Sequence, residues 1–420
     1  MRTELPFTLE SVHEITREHS TPFHLYHEAR LRDNAARLRD TLQTSGVDSF
    51  RNYFAVKALP NPAILKILAE EGMGADCSSL AELRIAEMAG LVGESIMFSS
   101  NNTSEEEFKE AHRLGAIINF DDESLVAPYL ESIGVPSVAC CRLNPGDLSF
   151  GGLNESIIGS PKEAKYGMPA EHLKRAFTAL KQAGVSRFGL HTMLLSNELD
   201  WQHHETIARR LFETANEIAS ECDVTFEFIN LGGGIGVPYR PEEHEFDLAA
   251  FADALKSLYT EYQLERIGSP RIVMENGRYV TADCGYLVTT VNTIKRTHKT
   301  YVGVDASMSD LMRPGMYDAY HHISVLTDAP GALESVDIVG SLCENNDKFA
   351  INRELPQLAI GDIIVIHTTG AHGHAMGFQY NGKLRHAELL LTREGDIREI
   401  RRAETLDDYF ATLPKEMKNV

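Results

Sequence analysis

The chain has 420 residues, with 40 Lys plus Arg against 61 Asp plus Glu and a formal net charge of −21. A surface that acidic repels phosphate backbones and anionic lipid, which argues against nucleic acid and membranes as partners while leaving room for a local anion site. The length suggests two or more domains, and no stretch approaches the roughly 18 uninterrupted apolar residues of a membrane span.

The N-terminal run MRTELPFTLESVHEITREHSTPF spreads its charges and has no continuous apolar segment, so it does not read as a signal peptide, and a cytoplasmic location is expected. From there, short apolar runs alternate with longer stretches of helical spacing. Strands are predicted near Asn52–Lys57, Met73–Cys77, Ser95–Ser99, Ala116–Asp121, Ser137–Asn144, Arg187–Met193, Thr225–Leu231 and Arg271–Glu275. Between them, segments such as PAILKILAEEG, SLAELRIAEMAG and EEEFKEAHRLG repeat apolar residues at three- and four-residue steps, as helices covering a sheet must. Eight such units predict an α/β fold, a (β/α)8 barrel over residues 26–284. Beyond Cys284 the runs YLVTTVNTI, TYVGVDAS, HHISVLT, VDIVGSL, DIIVIHTTG and AELLLTREG follow one another without helices, predicting a second, mainly β domain over residues 285–420, with residues 1–25 open to either part. The six cysteines, Cys77, Cys140, Cys141, Cys222, Cys284 and Cys343, lack the paired spacing of metal sites and read as reduced thiols, so no metal is expected.

In such a barrel, chemistry belongs to the C-terminal ends of the strands. The polar residues there are Lys57, Asp76, Asn101, Arg142 with Asn144, His191, the glycines after Leu231, and Glu275. Lys57 alone could be a solvated surface charge. Flanked by an apolar strand and ALPNP, it would instead project into the barrel mouth, where desolvation lets an amine condense with an aldehyde. Gly232, Gly233 and Gly234 could be a plain turn, or a loop whose backbone N–H groups converge on a phosphate. Glu275 could be a loop carboxylate, or the anion that keeps a pyridine nitrogen protonated. Together the three describe a site for pyridoxal phosphate.

The motifs YFAVKALPN, NLGGGIGVPY, ENGRYVTADCGYLVTTV, VDASMSDLMRPGMYDAYHHI, SLCENNDKFAINRELP and GAHGHAMGFQYNGKLR occur in one order along the chain. In these motifs the chain resembles the diaminopimelate decarboxylases, in the alanine-racemase-like, barrel-plus-β-domain group of pyridoxal-phosphate enzymes. The resemblance implies that Lys57 holds pyridoxal 5'-phosphate covalently and that Asp76, His191, Ser196, Gly233, Gly234, Glu275, Gly277, Arg278 and Tyr380 help seat it, with Glu275 facing the pyridine nitrogen. It implies that Arg278, Arg313 and Tyr317 grip a distal substrate carboxylate, with Tyr380 against cofactor or substrate. Cys343 and Glu344 would come from the other subunit of a homodimer with shared active sites, Cys343 near the carbon that is reprotonated and Glu344 receiving a distal ammonium. Each residue also has a plain reading: a buried Cys packs as a small hydrophobe, RPGMY could be a turn, and a Tyr could be a core aromatic.

Two departures stand out. Where the family has His-x-His-x-Gly-Ser-Gln, this chain reads His191, Thr192, Met193, Leu194, Leu195, Ser196, Asn197, placing a methionine where a ring-stacking histidine is usual. A thioether can still cover an aromatic face, and Ser196 can still donate to phosphate. In GAHG, His372 stands where tyrosine is common. The activity implied is decarboxylation of meso-diaminopimelate to L-lysine, the last step of lysine biosynthesis. Its rivals are decarboxylation of ornithine, arginine or a polyamine precursor on the same fold, and a non-catalytic regulatory homologue. The two arginines favour a distal carboxylate over a cationic tail. A racemase fits less well, because racemases of this kind carry arginine at the pyridine nitrogen.

Overall fold

The computed structural model describes residues 4–44, 50–148, 160–327 and 331–414. The chain divides into two compact units, Arg32–Val237 with His244–Val280, and Met1–Leu31 with Pro238–Glu243 and Thr281–Val420.

Strand β1 is Phe23–His27 and belongs to the second unit. The first unit is a closed barrel of eight parallel strands: β2 (Arg51–Ala55), β3 (Gly74–Cys77), β4 (Ile96–Ser99), β5 (Ile117–Phe120), β6 (Ala139–Arg142), β7 (Phe188–His191), β8 (Phe226–Asn230) and β9 (Arg271–Met274). All eight predicted strands are present, and β2 closes on β9 through Arg51 opposite Val273. The strands are short and nearly all buried, as a parallel sheet covered by helices requires. Helix starts are written locally. Asn61 caps Pro62–Glu70, with Pro at the first turn, and Ser104 and Glu107 form a reciprocal capping box on Glu105–Arg113. Tyr53, Met97, Ile117, Val138, Cys140, Phe228 and Val273 fill the interior. Gly189 on β7 makes room for the Phe228 ring, which a Cβ there would meet at 2.1 Å.

The second unit is a nine-stranded sheet. Its main path runs β14 (Lys348–Pro356), β13 (Leu333–Val339), β11 (Thr300–Val304), β10 (Gly285–Arg296), β1, β16 (Glu388–Leu391) and β17 (Ile397–Arg401); β15 (Ile363–Ile366) pairs with both β10 and β12 (Ile323–Leu326). Alternation along β10 serves two cores, because successive side chains of a strand face opposite ways. Leu287 and Val291 join Val302, Ile338 and Phe349, whereas Tyr286 and Val288 join Phe7, Val12, Phe23 and Leu389. The sequence runs located β10, β11, β12, β13, β15 and β16. They left out β1, β14 and β17, and RPGMY proves to be a short helix, Arg313–Tyr317. Among the described residues all cysteines are free, no group of side chains could hold a metal ion, and no helix is long and apolar enough to cross a membrane.

Candidate active site

The C-terminal ends of the barrel strands bring one polar network together. β2 gives way to a single 3-10 turn, Val56–Ala58, which carries Lys57 exposed beyond the strand. Asp76 lies in β3, Ser99 ends β4, Asn119 lies in β5, His191 ends β7, Asn230 ends β8, and Glu275 follows β9 by one residue. Glu275, 7% exposed, accepts from Asn230 Nδ2 at 2.7 Å and from Ser99 Oγ at 3.4 Å, and its Oε2 lies 3.3 Å from His191 Nε2. The Asn119 amide nitrogen lies 2.8 Å from His191 Nδ1 and donates to Ser99 Oγ at 3.1 Å. Burial works against ionising Glu275. The His191 ring, the Asn230 amide and the Lys57 charge outweigh it and hold this carboxyl below the usual carboxylate range. Asp76 goes the other way: burial and the Glu275 charge push its carboxyl well above that range, against the pull of Lys57. Two neighbouring carboxyls are thus driven apart, so that a proton favours Asp76 over Glu275.

The glycine loop follows β8. Gly232 donates to Asn230 Oδ1 at 2.9 Å, and its carbonyl accepts from Glu275 N–H at 2.8 Å, tying loop to carboxylate. A Cβ on Gly233 would lie 2.5 Å from the Glu275 carbonyl oxygen, and one on Gly234, at φ +100°, 2.5 Å from that of Leu195. Only glycine lets the chain pass there. Met193 Sδ sits 3.0 Å from Gly233 N, Leu195 is fully buried, and Ser196 is half-buried. Gly277 brings the segment carrying Glu275 and Arg278 against the turn that bears Lys57, since a Cβ there would meet Ala58 Cβ at 2.7 Å.

The remaining residues that the resemblance assigns to the site lie in the sheet unit, in two groups. Arg313 is buried with its guanidinium 4.4 Å from the Tyr239 ring centroid and its Nη1 2.9 Å from His321 Nε2. His321 Nδ1 lies 2.9 Å from the His367 carbonyl and must donate to it, so Nε2 accepts from Arg313 and the imidazole is neutral. Tyr317, at the end of the same short helix, is exposed. In the second group Cys343 and Glu344 are exposed, Cys343 N–H donates to Asn381 Oδ1 at 2.8 Å, and the Glu344 charge raises the pKa of the exposed Tyr380 hydroxyl bonded to it. His372 is half-buried at φ +56°.

Residues 29–282 match the pyridoxal binding domain of the pyridoxal-dependent decarboxylases, and residues 278–370 match their C-terminal sheet domain. The chain belongs to the pyridoxal-dependent decarboxylases. Among relatives of this decarboxylase, protein TabA of Pseudomonas amygdali pv. tabaci is 44% identical over 401 residues, covering 95% of this chain and 93% of TabA. The diaminopimelate decarboxylase of Methanothermobacter thermautotrophicus is 35% identical over 401 residues, covering 94% and 92%. In three dimensions the decarboxylase is similar to the crystal structure of Helicobacter pylori diaminopimelate decarboxylase complexed with L-lysine, with a TM-score of 0.87, 28% identity, and coverage of 97% and 100%. It is a pyridoxal-phosphate-dependent amino-acid decarboxylase.

The barrel mouth fits that cofactor. It offers an exposed amine at Lys57, an anionic carboxylate at Glu275 for a ring nitrogen, and glycines whose missing side chains leave backbone N–H groups approachable. Asp76 Oδ1 is buried with no hydrogen-bond partner among the described residues, a polar atom of the kind an outside group satisfies. Sequence reasoning passed over Ser99, Asn119 and Asn230, which hold Glu275 and His191. Each is the polar member of an otherwise apolar run, the signal that singled out Asp76 and His191.

Proposed function

We propose that the decarboxylase converts meso-diaminopimelate to L-lysine, as a cytoplasmic biosynthetic enzyme. When bound, pyridoxal phosphate supplies the electron sink for the pair left behind as CO2 departs. The protein's part is positional and electrostatic. Lys57 would hold the cofactor through its amine. Glu275 would face the ring nitrogen as an anion, with Asp76 and His191 beside it. Ser196, Gly233, Gly234, Gly277 and Arg278 would seat the phosphate end, while Met193 would cover a ring face. Arg278, Arg313 and Tyr317 take the distal carboxylate, Glu344 the distal ammonium, and Tyr380 borders both cofactor and substrate.

Arg313 carries the substrate reading. In an acidic chain this guanidinium is buried, set against the His321 imidazole and the Tyr239 ring. A cationic tail would be repelled there, and a carboxylate accepted. Similarity to diaminopimelate decarboxylases over nearly the whole chain supports the same substrate. Cys343 and Glu344 stand exposed in the sheet unit, consistent with a homodimer in which they complete the partner's site.

Two experiments test this. CO2 release from meso-diaminopimelate, lysine, ornithine and arginine, with the amine products identified, should show preferential formation of lysine from diaminopimelate; preference for a basic amino acid would overturn the substrate, and no release from any would favour a non-catalytic homologue. For the dimer, mixing Lys57→Ala with Cys343→Ala subunits should restore part of the activity. No recovery despite proven subunit exchange would refute the shared site.

A further inference from the structure

The loop that carries Cys343 and Glu344 is held at its base and at its tip by different residues. It spans 340–347 between β13 and β14, and the Gly340 N–H closes it on the Asp347 carbonyl at 3.0 Å. The Asp347 side chain, 3% exposed, accepts from Leu342 N–H at 2.8 Å and from Met308 N–H at 2.6 Å, which anchors the base. The tip is exposed, so burial does not fix it. There the hold comes from a second turn, Tyr380–Gly382. Asn381 Oδ1 accepts from Cys343 N–H at 2.8 Å, and the Tyr380 hydroxyl bonds to the Glu344 carboxylate, so two successive residues of one turn clasp two successive residues of the other. Asn346 Nδ2 adds a bond to the Gly315 carbonyl at 3.1 Å, within the helix Arg313–Tyr317. Asn381 itself stands at φ +55°, in the left-handed region. Glycine adopts that region most easily, and asparagine is among the few other residues that tolerate it. Glycine would satisfy the turn alone; what asparagine adds is an acceptor.

We propose that Asn381 is a positioning residue: by accepting from the Cys343 N–H it fixes the loop tip, so that the Cys343 thiol is presented in one place. The proposal rests on the reading of Cys343 as the residue near the carbon that is reprotonated. A thiol serves a proton transfer only within hydrogen-bond reach of the reacting atom, and a misplacement of about 1 Å costs on the order of 10- to 100-fold in rate. Asp347 reaches no further along the loop than Leu342, and among the described residues the Cys343 N–H has no acceptor besides Asn381. The peptide that leads into Cys343 is therefore oriented by Asn381, from a turn whose neighbouring residue, Tyr380, holds Glu344.

The test compares holoenzyme carrying Asn381→Gly, which keeps the left-handed turn and loses the acceptor, with Asn381→Asp, which keeps both. Asn381→Gly should lower kcat about ten-fold with a much smaller change in KM, and should speed deuterium uptake by the peptide spanning residues 340–347. Asn381→Asp should restore kcat to within about two-fold of the unaltered enzyme and slow the uptake again. In a Cys343→Ala background Asn381→Gly should lower kcat no further, because a residue that acts through Cys343 has nothing left to position. The proposal is overturned if Asn381→Gly leaves kcat or the uptake unchanged, if Asn381→Asp fails to rescue, or if the losses from Asn381→Gly and Cys343→Ala multiply. A Cys343→Ala protein with full kcat would instead overturn the underlying reading of Cys343, and the positioning role with it.

Discussion

Glu275 in the barrel unit and Glu388 in the sheet unit are both buried, at 7% and 1% exposure, but they are held in opposite ways. Glu388 accepts from the Tyr26 hydroxyl at 2.8 Å and from Arg401 Nε, so a cation of the same unit cancels its charge. Glu275 is held by an amide, a hydroxyl and an imidazole, and the nearby cation, Lys57, is exposed. A carboxylate bonded to a guanidinium of its own unit supports the fold, whereas one desolvated and held by an amide, a hydroxyl and an imidazole keeps its charge for something outside the chain.

If that contrast is sound, variants at the barrel mouth and at Arg313 should change chemistry more than stability, and variants of the internally paired groups should do the reverse. Lys57→Ala should have the largest effect, lowering kcat on the order of 10^3-fold or more and abolishing the visible absorbance of lysine-bound cofactor, with little change in melting temperature. An unchanged spectrum would remove Lys57 from the site. Arg313→Leu should raise KM for diaminopimelate about 10- to 100-fold and reduce its preference over lysine; equal losses on all substrates would return Arg313 to a purely structural role. Glu388→Gln should cost about 1–3 kcal/mol of stability, read by denaturant titration, and leave turnover per folded molecule nearly intact.

The smallest effect is one of pH. His24, His367 and His374 lie in the sheet unit, and burial, then the like charge of neighbouring groups, lowers each to about 3. Their folded pKa lies below the unfolded value near 6.5, so the unfolded chain binds more protons as pH falls. The stability these histidines allow is therefore intact above about pH 6.5 and lost progressively between 6.5 and about 3, at about 1.4 kcal/mol per pH unit for each group. Neither ring nitrogen of His24 has a hydrogen-bond partner among the described residues. His24→Phe should remove one group's share of that slope in stability measured from pH 6.5 to 4.5; an unchanged slope would show that His24 does not titrate on unfolding.

The barrel was legible because its strands are short apolar runs separated by amphipathic helices, several with their own caps, so local pattern and global fold agree. Lys57 and Glu275 were read as strand ends, and both lie just past the ladder, Lys57 in a 3-10 turn before Leu59 and Pro60. The sheet unit was less legible at its edges. β14 and β17, KFAINRELP and IREIR, mix charged residues in among the apolar ones, which dilutes the apolar signal, and β1 joins β10 and β16 from more than 250 residues away in sequence. The support for Glu275 could not be read at all. Ser99, Asn119, His191 and Asn230 meet only because β4, β5, β7 and β8 close into one ring.

The central claim, that Glu275 is kept anionic for the cofactor ring, is tested most directly by the cofactor dissociation constant and kcat of Glu275→Gln beside those of Glu388→Gln. The account predicts a loss on the order of 10^2-fold or more in kcat with weakened cofactor binding for the first, and near-normal values for the second. Comparable activity in the two variants would contradict it.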